Sequence, residues 1–192
     1  MPAPHPLTFP TMSPPTDSHT LLRFWHSAGP ARWFRRDEAF DAEFSRRFLV
    51  THEAAAAGQL QAWNDTPEGA LALVLLLDQF PRNAFRGTAR VYATDAQARA
   101  VADAAIRRGF DQAVEPDLRR FFYIPFMHSE SLADQERSVG LYAPADEDAQ
   151  RWAHHHRDIV VRFGRFPHRN AVLGRQSTAE EERFIAEGGF SG

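Results

Sequence analysis

Ala70 to Leu77 is the longest apolar run in the chain, and it lies between a helix-start signal and a proline. Thr66-Pro67-Glu68 supplies a capping hydroxyl, a proline suited to the first helical turn and an acid at the positive end of the helix dipole. The spacing predicts a helix from Pro67 that is apolar nearly all round and stops near Pro81, where the ring removes an amide donor. A helix without a polar face has to be enclosed by others. It is therefore expected at the centre of the fold. The run is also far shorter than the roughly 20 residues a bilayer span takes, so no membrane segment is expected.

Helical periodicity continues on both sides, and strand-like alternation is almost absent. A first helix is expected over 17–28, with Leu21, Leu22 and Trp25 on one side and Gly29-Pro30 as its stop. A second covers 37–57, where Phe40, Phe44 and Phe48 recur at every fourth position. Thr94 with Gln97, and Thr178 with Glu181, have the spacing of capping boxes. Further helices are expected over 116–123, 126–142 and 146–163. The fold class is thus all-α, with about seven to eight helices joined by short connections and packed as antiparallel pairs. Residues 1–16, with six prolines, form a flexible leader, and residues 17–192 form a single helical domain.

Composition narrows the chemistry. Cysteine is absent, which removes thiolate nucleophiles, disulfides and Cys-ligated metals and fits a cytoplasmic setting. All 22 basic residues are arginine, so Schiff-base chemistry, pyridoxal phosphate attachment and a phosphate-binding Walker loop are also excluded. Hydroxyls, carboxylates, imidazoles and guanidiniums remain. Arginine favours carboxylate and phosphate through its bidentate fork. A net charge of −3 gives no general attraction to nucleic acid. The Arg- and His-rich stretch from His154 to Arg175 is the one local exception, and RNA binding there is the weakest reading.

Polar residues on apolar helical faces mark the candidate site. His128 and Gln135 share a stripe with Leu132, Val139 and Tyr142. His156 shares one with Trp152, Ile159, Val160 and Phe163, and Asp78 one with Leu71 and Val74. A buried carboxylate requires hydrogen bonds and a cation. Spacing does not set the separation of His128, His156 and Asp78, so it does not fix them as a two-His, one-carboxylate metal site, and no metal is expected. An internal echo adds a second signal: Phe80-Pro81-Arg82-Asn83-Ala84 returns as Phe166-Pro167-His168-Arg169-Asn170-Ala171. Two readings fit it, a pair of similar helix-stop turns or two arginine-bearing loops facing each other as an anion clamp.

These blocks resemble the bacterial domain-of-unknown-function family 924. The likeness rests on Leu77-Asp78-Gln79-Phe80-Pro81-Arg82-Asn83 with Phe85-Arg86-Gly87, on Pro125-Phe126-Met127-His128-Ser129-Glu130, and on His156-Arg157-Asp158-Ile159 through Arg165-Phe166-Pro167-His168-Arg169-Asn170 to Gly174-Arg175. It covers roughly residues 20–190 and implies a tetratricopeptide-repeat-like superhelix, but no established activity or cofactor. The candidate acid–base residues are His128, Glu130, His156 and Asp78, with Asp78 or Glu130 fixing an imidazole tautomer. Arg82, Asn83, Arg86, Arg165, His168, Arg169, Asn170 and Arg175 are the candidate contacts to a small anionic ligand, and Arg82→Ala or Arg169→Ala is expected to abolish binding without disturbing the fold. The competing reading is a protein-interaction module of helical-repeat type. Oligomeric state is left open by the sequence.

Overall fold

The computed structural model describes residues 14–142 and 146–190. Its elements are α1 (Ser18–Ala28), α2 (Pro30–Trp33), α3 (Glu38–Ala56), α4 (Pro67–Val74), α5 (Phe80–Ala84), α6 (Asp95–Arg107), α7 (Phe110–Ala113), α8 (Pro116–Met127), α9 (Leu132–Tyr142), α10 (Glu147–Phe163) and α11 (Ala179–Ala186), with no strand among the described residues. A π-helical turn, Leu75–Gln79, joins α4 to α5, and the three form one continuous rod. Counting that rod once, the described residues form ten helices where seven to eight are expected. The two extra ones, α2 and α7, are single turns of four residues. Of the predicted leader, residues 1–13 lie outside the described residues; Thr16 donates its amide to Thr51 Oγ1 on α3 at 2.8 Å.

The rod is the centre of the core, as its all-round apolar surface requires. Every residue from Gly69 to Pro81 is buried, and α1, α3, α6 and α8 pack around it. The four-residue repeat on α3 places Phe40, Phe44 and Phe48 against Phe24 of α1, with ring centroids 5.2 to 5.4 Å apart. Such stacked and tilted pairs add to the burial itself.

Pro81 does not end the helix, contrary to expectation. The π turn carries the chain past the proline, and side chains, two of them from other elements, satisfy the carbonyls that lose helical donors. His52 Nδ1–H donates to Leu76 O at 2.9 Å, Thr94 Oγ1–H to Leu77 O at 2.5 Å and Arg82 Nη1–H to Asp78 O at 2.7 Å. With the Pro81 amide absent, His52 and Thr94 supply donors to the Leu76 and Leu77 carbonyls. Thr94 is thereby lost to capping. The expected box with Gln97 does not form, and Gln97 donates instead to Ala56 O. Thr94→Val should strand the Leu77 carbonyl in the core and cost about 1–3 kcal/mol. Thermal unfolding followed by circular dichroism reads this loss, and Thr94→Ser, which keeps the donor, should recover most of it.

Two further expectations need correction. The helix proposed over 126–142 is broken at 128–131, because Gln135 Nε2 donates to both Met127 O (2.7 Å) and Ser129 O (2.6 Å) and holds a turn there. Leu132 is consequently 47% exposed and leaves the stripe that His128 and Gln135 were to share. On α10, Trp152 points outward at 52% exposure, while His156 on the same helix is buried. The Thr178–Glu181 capping box forms as its spacing predicts.

Candidate functional site

Asp78 sits on the π turn, 1% exposed. Its Oδ1 accepts the Nδ1–H of His128 at 2.8 Å, its Oδ2 accepts Gln79 Nε2–H at 2.7 Å, and Arg82 Nη1 lies 3.3 Å from Oδ1. Burial pushes this carboxyl up, but the charge of Arg82 and the hydrogen bonds from His128 and Gln79 outweigh it and hold the group below the usual carboxylate range. A carboxylate can only accept, so the imidazole proton stays on Nδ1 and Nε2 carries the lone pair. Nε2 makes no hydrogen bond among the described residues, and the side chain is 17% exposed. Burial and the nearby Arg82 charge lower the His128 pKa despite Asp78. His128 is a neutral imidazole held in one orientation by Asp78.

The arginines of the two motif loops do meet, and the anion between them is the protein's own Asp95. Arg82 forks onto Asp95 with Nη1–Oδ1 at 2.9 Å and Nη2–Oδ2 at 3.0 Å. Arg169 approaches the same carboxylate only to 3.9 Å. Its Nη2–H donates to His128 O at 2.9 Å, and its guanidinium lies 4.5 Å from the Tyr92 ring and 4.4 Å from that of Phe166. Arg169 is 7% exposed, and its buried Nε–H has no partner among the described residues. Burial and the neighbouring Arg82 pull its pKa down to about 10, so it stays charged near neutrality.

The other motif residues pair off within the protein. Asn83 and Arg86 both reach Asp41 on α3, at 2.6 and 2.9 Å. Arg165 forks onto Glu181 at 2.6 and 2.8 Å, and Asn170 donates to the same carboxylate. Arg175 forks onto Glu130 at 2.7 and 2.9 Å, and Glu130 also accepts the Phe166 amide at 2.8 Å. Glu130 therefore anchors the second motif loop and orients no imidazole; that role is Asp78's alone. His156 Nδ1–H donates to Trp152 O one turn back, and burial pushes the ring down to about 3. His168 is lowered to about 4 by burial and by Arg169, and its buried Nδ1 has no partner among the described residues.

No group of three His, Cys, Asp or Glu side chains among the described residues is arranged to hold a metal ion. Two surface hollows, about 420 Å³ between Leu60, Leu73 and Val101 and about 380 Å³ between Arg162, Glu180 and Phe184, are lined by none of these polar groups.

A family model described as "Bacterial protein of unknown function (DUF924)" matches residues 21–189. The chain belongs to this family. Its fold is also similar to a solved structure, the protein of unknown function ATU0120 from Agrobacterium tumefaciens, with 54% sequence identity and a TM-score of 0.87 over 88% of this chain and 97% of that one. No curated protein matches the chain. The Asp78, His128 and Arg169 positions all fall within the DUF924 match.

Two residues of this DUF924 site escape sequence reasoning. Asp95 reads as an ordinary acid in the first turn of α6, and Tyr92 as part of a connection. Neither lies in a motif, and only the packing of the 3-10 turn Ala89–Tyr92 beside α5 and the start of α6 at Asp95 bring them to the arginines.

Proposed function

We propose that the protein binds a small anionic ligand at Arg169 and that the Asp78–His128 pair carries out acid–base chemistry on it. The observation that carries this reading is a pair of complementary unmet groups: the free lone pair of His128 Nε2 and the buried, partnerless Nε–H of Arg169, whose Nη2 touches the His128 carbonyl. A buried donor without an acceptor costs about 1–3 kcal/mol, which a phosphate or carboxylate oxygen would recover. Arg82 and Arg175 are already matched to carboxylates, so the two-loop clamp contracts to Arg169 alone. His128 can take a proton from a bound hydroxyl or water, and Asp78 stabilises the imidazolium that forms. A π turn at Asp78 fits the frequent occurrence of such turns at functional positions.

Calorimetric titration with inorganic phosphate tests the reading. The wild type should bind, and Arg169→Ala should bind at least about tenfold more weakly, the loss of one charge-assisted contact. An anion beside neutral imidazoles raises their pKa, so the complex holds protons more readily than the free protein does. Equal phosphate affinity in wild type and folded Arg169→Ala would sink the proposal.

A second reading, a tetratricopeptide-repeat-like module that docks another protein, draws on Trp152 and on Phe34, which is 58% exposed. It predicts a co-purifying partner that is lost on Trp152→Ser, without any heat from phosphate. Under either reading we place the protein in the cytoplasm, which its lack of cysteine fits. No helix among the described residues is long and apolar enough to cross a membrane.

A further inference from the structure

After α11 the chain doubles back through two glycines. Gly188 has φ 84°, and a Cβ on Gly189 would stand 2.4 Å from Phe184 O, so this turn requires glycine at both positions. The turn delivers the Phe190 ring into a box of imidazoles. Its centroid lies 4.6 Å from His156, 5.1 Å from His168 and 5.6 Å from His155, with Phe166 at 6.4 Å. Phe166 is also the ring against which the Arg169 guanidinium packs. The box and the anion site thus share a wall.

Phe190 fits the box in shape but not in chemistry. His168 Nδ1 is buried without a partner among the described residues, and a hydrocarbon ring packed on that imidazole offers it at most a weak N–H···π contact. Phe190 is itself only half-buried and is held by a turn of two glycines, whereas the neighbouring Phe166 is fully enclosed. A planar ring with a polar edge would fill the same space and satisfy the imidazole.

We infer that this box receives the ring of the ligand, a planar aromatic group with a hydrogen-bonding edge joined to the anion held at Arg169, and that Phe190 is the internal occupant it displaces. The inference rests on the reading of Arg169 as the anion site. It names the ligand class as an aromatic anion.

Three probes separate the two ideas: inorganic phosphate for the anion alone, phenol for the ring alone, and 4-hydroxyphenyl phosphate for both. Each is titrated into the wild type and Phe190→Ala, with affinity from calorimetry and the His156 and His168 ring signals followed by NMR. Phe190→Leu serves if the alanine variant does not fold. The expected result is that 4-hydroxyphenyl phosphate binds Phe190→Ala at least tenfold more tightly than phosphate does, with a smaller gain in the wild type, and that phenol shifts the His168 signals. If phosphate binds but neither ring probe gains affinity or moves His168, the ring box is overturned and the anion site stands. If phenol shifts His168 while phosphate fails to bind, the box stands and the anion reading falls. Failure of all three probes overturns both.

Discussion

Arg82→Ala should lose about 3–5 kcal/mol of stability, the typical cost of removing one partner from a buried ion pair. Arg82 is the cation for two buried carboxylates: it forks onto Asp95, lies 3.3 Å from Asp78, and donates to the Asp78 carbonyl as well. Alanine takes the guanidinium fork from Asp95, leaves Asp78 to His128 and Gln79, and frees a main-chain acceptor at once. Sequence reasoning expects this variant to fold and merely lose its ligand; the geometry makes Arg82 a structural keystone and leaves the ligand test to Arg169. At about 2–4 °C per kcal/mol for a chain of this size, the melting temperature should fall by roughly 6–20 °C. Urea denaturation of wild type, Arg82→Ala and Arg82→Lys provides the measurement. Lysine restores charge without the planar fork and should recover only part of the loss. An alanine variant within about 1 kcal/mol of wild type would show that the carboxylates do not depend on this arginine.

Acidification should unfold the protein unusually early. His52, His128, His156 and His168 all have pKa values lowered by burial, to about 3 for His156 and about 4 for His168. In the unfolded chain each would titrate near 6.5, so between pH 6.5 and the lowered values the unfolded state binds more protons than the folded one. By linkage, stability then rises with pH and is lost as pH falls, at no more than about 1.4 kcal/mol per pH unit for each fully buried ring. Carboxylates act in the same direction at lower pH. Glu181, held to about 2 chiefly by its hydrogen bond from Arg165, and Asp78 and Glu130, also lowered, stabilise the fold above their unfolded values near 4 and lose that contribution below them. Urea midpoints should be level above pH 7, decline from about pH 6.5 and drop more steeply below about 4.5. A level curve from pH 7 to 5 would contradict the neutral, buried imidazoles.

The helices are legible in the sequence because their signals are local. Thr66-Pro67-Glu68, the Phe40-Phe44-Phe48 spacing and the Thr178–Glu181 box each involve contacts within a turn or two, and each forms as expected. Sequence reasoning fails where a distant group takes over a local one. Pro81 marks a helix end by its own chemistry, and only His52 and Thr94, far along the chain, let the rod continue. Thr94 fails as a cap for the same reason. Gln135 breaks the expected helix over 126–142 by bonding to carbonyls six and eight residues back.

The candidate site divides in the same way. Residue chemistry alone brings Asp78, His128 and the two arginine motifs to notice, since a polar group on an apolar face must find a partner. Which partner it finds is a matter of three-dimensional neighbours. The sequence by itself determined an all-helical chain, a central apolar rod and a polar centre of carboxylates, imidazoles and guanidiniums. Only the tertiary structure decided that Asp78 rather than Glu130 orients His128, that Asp95 fills the arginine clamp, and that Arg169 and His168 are left with unmet buried atoms. Helix propensity and capping act over a few residues, whereas charge pairing in a buried site acts across whatever the fold brings within a few ångströms.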